Sequence, residues 1–171
     1  KHDFLKPQDY RALSVAMLST HDTTNWPAWW ENEAGTVDEA LFIRKCNDRK
    51  IDYARVKEKL FDLHLCRHAR LRWLNSIDSV DKLVNILNEK LSDFIDIYEN
   101  TYQEKEKLWQ HFKLKCFMRE KADGEIIKAA FKTTLESQAI FCIELITDWL
   151  MLAGIFKGDP YQYRINMPGT V

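Results

Sequence analysis

A chain of 171 residues, 46% hydrophobic and 30% charged, has the size and composition of one soluble globular domain with a sizeable core. With 25 Lys and Arg against 26 Asp and Glu, it carries no electrostatic excess to hold nucleic acid or an anionic membrane surface, so neither partner is expected. No apolar run approaches the roughly 18 residues that a bilayer crossing requires, Lys1-His2-Asp3-Phe4 lacks the basic-then-apolar order of a signal peptide, and the widely spaced Cys46, Cys66, Cys116 and Cys142 suit reduced thiols in a cytoplasmic setting.

Ser14-Val15-Ala16-Met17-Leu18 reads as a short buried strand. Just beyond it stand His21 and Asp22, where barrel and open α/β enzymes keep their reactive groups, which makes the pair a candidate site. Pro27 suits the first turn of a short helix carrying Trp29 and Trp30, and Gly35 ends it. Thr36 and Glu39, three apart, form a capping box for a helix through Ala40, Phe42, Ile43 and Cys46. Ile51 to Leu74 reads as one or two helices, with Tyr53, Val56, Leu60 and Leu63 on one stripe.

The strongest periodicity runs through Val80, Leu83, Val84, Leu87, Leu91, Phe94, Ile95 and Tyr98, behind the caps Asp78 and Ser79. It continues through Tyr102, Trp109, Phe112 and Cys116, as one long helix or as a hairpin broken near Asn100-Thr101. After Gly124, the residues Ile126, Ile127, Ala130, Phe131 and Leu135 mark another amphipathic helix. Ala139 to Ile146 is nearly continuously apolar, the pattern of a strand buried on both faces or of a buried helix, and Asp148 follows it. The segment from Gly154 to Val171 is loop-like. The expected fold class is mostly α with two short buried strands, each ending at an aspartate and separated by helices as parallel barrel strands are.

His21-Asp22-Thr23-Thr24 with Ala28-Trp29-Trp30-Glu31 resembles the fourth signature region of the 4-α-glucanotransferases, the amylomaltase and disproportionating-enzyme family (glycoside hydrolase family 77). Cys142-Ile143-Glu144-Leu145-Ile146-Thr147-Asp148-Trp149 is similar to the family's last barrel strand, and Arg164-Ile165-Asn166-Met167-Pro168-Gly169-Thr170 to its closing Arg-x-Asn-x-Pro-Gly-Thr. Two positions depart from the pattern: Thr147 stands where the family has Gln before the aspartate, and Thr24 where an acidic residue often follows the His-Asp. The resemblance implies the C-terminal part of a (β/α)8 barrel of the TIM type carrying a helical insertion. On that reading residues 1–49 hold a barrel strand, the His-Asp loop and the following helices, residues 50–121 a helical insertion or subdomain, and residues 122–171 the last barrel helix, last strand and C-terminal loop.

The implied activity is retaining transfer of α-1,4-glucan segments between maltooligosaccharides or to glucose, with no cofactor. Asp22 would stabilise the transition state, and His21, Trp26, Asp148 and Asn166 would bind substrate. The family's nucleophile and acid/base lie upstream of the His-Asp region, so the chain would need the remainder of the barrel as its partner and be inactive alone. The residues also permit plainer roles. Asp22 fits an N-cap of the Pro27 helix, Trp29 and Trp30 fit packing, and Arg164 and Asn166 fit ties from the tail to a barrel rim. An autonomous helical interaction module or a non-catalytic glucan-binding module is the alternative for the whole chain. His64 and His68, at i and i+4, have the spacing of helical zinc ligands, but Cys66 between them points elsewhere and no fourth ligand is near, so no metal is expected.

Overall fold

The computed structural model describes residues 4–165, and it is mostly helical with two short two-stranded sheets. In chain order the elements are β1 (Val15–Ala16), α1 (Trp26–Asn32), β2 (Thr36–Asp38), α2 (Glu39–Asp48), α3 (Tyr53–Leu60) and β3 (Arg70–Arg72). They continue with α4 (Val80–Leu87), α5 (Ser92–Thr101), α6 (Glu104–His111), α7 (Gly124–Leu135), β4 (Phe141–Cys142) and α8 (Ile146–Leu152). These divide between two compact units, one formed by Asn32–Lys105 and the other, among the described residues, joining 4–31 to 106–165.

In the first unit, short helices are started by side-chain caps and held by one aromatic core. The Asp38 carboxylate accepts from the Leu41 N–H at 2.8 Å, Asp52 caps α3 and Ser79 caps α4, each satisfying an amide that a helix N-terminus leaves unpaired. The expected capping box of Thr36 and Glu39 does not form. Thr36 is drawn into the antiparallel pairing of β2 with β3, opposite Arg72, and Glu39 instead accepts from the Lys57 ammonium at 2.7 Å and from the Tyr53 hydroxyl. Those two donors hold the Glu39 carboxyl below its usual range. The helical reading of Ile51 to Leu74 holds only for α3. From Phe61 the chain turns extended, bridges to Trp73, and returns as β3, because Phe61 and Leu71 are buried in the core as strand residues.

Phe42 sits at the centre of that core, with the rings of Phe61 and Phe94 edge-on at 5.0 and 5.2 Å. The long periodic stretch from Val80 is broken twice. Asn88 takes a left-handed conformation (φ 64°), which asparagine tolerates, and Gln103 (φ 54°) separates α5 from α6 close to the expected break.

The second unit is built on three tryptophans. Trp26 stacks on Trp30 at 5.8 Å, Trp30 lies 6.2 Å from Trp109, and Ile126, Ile127, Ala130 and Phe131 of α7 complete the cluster. Asp123 caps α7 through the amides of Glu125 and Ile126. The two strands of this unit pair in parallel, Val15 with Phe141 and Ala16 with Cys142. Both are shorter than expected, and the second differs in kind at its end, since Ile146 opens α8 instead of closing a strand.

Burial on both faces is not found either. Ala16 is buried, but Leu13, Val15, Met17, Phe141 (61% exposed) and Ile143 all face out, in a row with the period of two that a strand imposes. The opposite face meets α7, where the Thr134 hydroxyl bonds the Glu144 carboxylate.

Candidate functional site

Beyond the end of β1, Ser19 is buried and residues 20–25 form a compact loop whose tip, residues 21–23, is exposed. A threonine staple shapes it. The Thr20 N–H donates to Thr23 Oγ1 at 2.8 Å, the Thr23 N–H to the Thr20 carbonyl at 3.1 Å, and the Asp22 N–H to Thr20 Oγ1 at 3.3 Å. Such side-chain-to-backbone bonds substitute for secondary structure in a turn. They present His21 and Asp22 together, with Nε2 and Oδ2 3.2 Å apart and side chains 72% and 68% exposed. An exposed imidazole beside a carboxylate offers a donor and acceptors to a polyol at one point.

Asp22 does not cap the helix that follows. That role belongs to Asn25, whose Oδ1 accepts from the Ala28 N–H at 2.9 Å while its Nδ2 donates to the Pro160 carbonyl at 2.9 Å. The signal for it stands in Asn25-Trp26-Pro27, a cap residue with proline in the first turn, and the sequence reading passed over it. Trp26 is likewise not on the loop. It begins α1, is 4% exposed, and spends its ring on Trp29, Trp30 and Phe112. Trp30 is fully buried and its indole N–H donates to the Arg119 carbonyl at 3.1 Å, while Trp29 is half-buried.

Asp148 lies in the first turn of α8 with no exposed surface. Its Oδ2 accepts from the Ser19 hydroxyl at 3.1 Å and from the Trp26 N–H at 3.4 Å, and its Oδ1 has no hydrogen-bond partner among the described residues. Burial pushes its carboxyl up to about 6, against the pull of the two donors, and the nearby Glu144 charge acts in the same upward direction. Glu144, which the sequence reading did not single out, also accepts from the Leu18 N–H at 3.2 Å, so the end of β1 is held from the strand that pairs with it.

In the tail, Arg164 bonds the Tyr161 hydroxyl at 2.6 Å and covers its ring. Asn166 lies outside the described residues. His64 and His68 fall in the turn between Phe61 and β3, not on a helix, which removes the i, i+4 geometry; among the described residues no group of three His, Cys, Asp or Glu side chains is placed to hold a metal ion.

A family profile described as 4-alpha-glucanotransferase (Glyco_hydro_77) matches residues 1–171. The chain belongs to this family. Its members act on glucans, so glucan transfer is the class of activity to which the 4-alpha-glucanotransferase sequence is tied. No curated protein and no solved structure matched the chain. No helix among the described residues is long and apolar enough to cross a membrane.

Proposed function

We propose that this chain carries the C-terminal part of the active centre of a retaining 4-alpha-glucanotransferase, with Asp22 as the carboxylate that stabilises the transition state. The observation that carries the reading is the exposed His21-Asp22 pair at the C-terminal end of a strand whose parallel partner, β4, carries the second motif of the family resemblance. In (β/α)8 enzymes the chemistry sits at that end of the strands. Retaining transfer uses a nucleophilic carboxylate and a carboxylic acid about 5 Å apart, and these two groups would come from polypeptide outside this sequence. Asp22 would accept hydrogen bonds from sugar hydroxyls as positive charge develops on the ring, and His21 would bind the same glucose unit.

The remaining parts of the reading are proposed with it. The outward row of Leu13, Val15, Met17, Phe141 and Ile143 fits a barrel in which further strands cover that face, and it argues against a self-contained helical module, which has no use for such a row. Residues 50–121 would be the helical insertion between the last two strands, and a cytoplasmic setting suits glucan metabolism. Asn166 is proposed as a substrate contact on the motif alone. Trp26 could stack on a sugar only by leaving its aromatic cluster, so Trp29 is the better candidate of the three tryptophans.

The test is Asp22→Asn in the active enzyme, assayed for glucan transfer from a maltooligosaccharide donor. Loss of a group that acts on the transition state should lower turnover by about 100-fold or more. The unfolding midpoint should stay unchanged, because Asp22 is exposed. Full turnover would remove Asp22 from the mechanism.

A further inference from the structure

We propose that Asp148 is a positioning residue, a single buried carboxylate that clamps both ends of the loop bearing His21 and Asp22. Its importance for transfer rests on the reading of Asp22 given above.

The geometry is specific. The loop spans Thr20 to Asn25, and the two residues that bracket it, Ser19 and Trp26, both donate to the same oxygen, Oδ2 of Asp148, at 3.1 and 3.4 Å. One atom therefore sets the distance between the loop's ends. Asp148 has no exposed surface, which suits it to holding the loop from beneath. Asn25 adds an anchor by joining the end of the loop to Pro160, and the Thr20 and Thr23 staple closes it internally. Fixing a loop at both ends lowers the number of conformations available to the side chains at its tip, and misplacement of an acting group by about 1 Å can cost about 100-fold in rate.

A buried carboxylate is an expensive way to hold two donors, since ionisation is opposed by burial and one oxygen is left without a partner. What a carboxylate offers is geometry: Oδ2 accepts two donors at once from a rotamer held by packing. An asparagine at this position keeps one carbonyl oxygen for Ser19 and Trp26 and changes only the unpartnered atom. An alanine releases both ends.

The experiment measures amide hydrogen exchange at Thr20, Asp22, Thr23 and Trp26 in the full chain, in Asp148→Ala and in Asp148→Asn, with kcat and KM of the active enzyme carrying the same substitutions. Asp148→Ala should speed exchange at these amides at least tenfold and lower kcat at least tenfold with a smaller change in KM. Asp148→Asn should restore both to within about threefold. Exchange that is unchanged in Asp148→Ala overturns the clamp, and so does equal damage from the alanine and asparagine variants.

If Asp148→Ala does not fold, Ser19→Ala removes one of the two bonds and leaves the carboxylate buried; unaltered exchange at Thr20 and Asp22 would then overturn it. Asp22→Asn separates the two proposals. It should leave exchange in the loop unchanged, so full turnover in Asp22→Asn strikes the mechanism while the exchange data still judge the clamp.

Discussion

The unit of residues 32–105 and the unit that carries the loop use charge and apolar surface in opposite ways. In the first, large apolar side chains are almost all inside, and the Glu39 carboxyl is partly exposed, lowered by Lys57 and Tyr53, and adds to stability when ionised. In the second, a row of apolar side chains along β1, β4 and their flanking residues faces outward, and the Asp148 carboxyl is buried and raised, so it adds more to stability protonated than ionised. A region that closes its own core spends its polar groups on caps and ion pairs. A region that leaves an apolar face open and buries a carboxylate under a loop has residues placed for something other than its own stability.

The largest expected effect is on the closed core. Phe42→Ala empties the site around which Phe61 and Phe94 pack and should cost about 3–5 kcal/mol, read from denaturant unfolding. A loss below about 1 kcal/mol would mean that this core is not the closed one described.

The next is a difference in pH dependence. Between about pH 4 and about pH 6 the folded chain keeps Asp148 protonated while the unfolded chain has released that proton. The native state binds more protons there, so the Asp148 contribution to stability falls as pH rises, by on the order of 3 kcal/mol. Glu39 acts with the opposite sign: its contribution is present above the ordinary glutamate range and is lost as pH falls through the lowered value. Asp148→Asn should remove the first slope, read from unfolding midpoints between pH 4 and 7, and leave the second, read as the pH is taken below the ordinary glutamate range. Identical profiles for the two chains would dissolve the contrast between the units.

Caps come third. Asn25→Ala loses the Ala28 bond and the Pro160 bond together and should cost about 1–2 kcal/mol, whereas Asp52→Ala at α3 loses a cap alone and should cost about 1 kcal/mol. Thermal unfolding of the two variants side by side gives the comparison.

The smallest effect on stability should come from the open face. Val15→Ser and Phe141→Ser change exposed, mutually paired positions and should shift unfolding by no more than about 0.5 kcal/mol. The same pair should lower self-association in light scattering. Association that is unaffected would show that the row is not sticky in solution.

Local patterns were readable wherever the cause lay within a turn or two. Ile126, Ile127, Ala130 and Phe131 announced α7 and form its buried face, while Leu135, on the same stripe at the helix end, is exposed. The break near Thr101 was legible for the same reason, while the one at Asn88 was hidden because the apolar spacing runs on across it. The capping box failed because Thr36 had a stronger claim from Arg72, a strand partner 36 positions away (72 − 36) that no local rule can see. Ala139 to Ile146 looked doubly buried because hydrophobicity reports what a segment is suited to, not which neighbours are present to cover it.

By itself the sequence determined the family, through the order and spacing of its motifs, and it announced helices such as α4 and α7, whose hydrogen bonds close within four residues. Tertiary structure alone decided the assignments around the site: Asn25 and not Asp22 as the cap, Trp26 in the core, Asp148 beneath the loop. The physical reason is separation along the chain. Ser19 and Asp148 stand 129 positions apart, and a bond of that reach depends on the pairing of β1 with β4 and the packing behind it, which no window of local sequence contains.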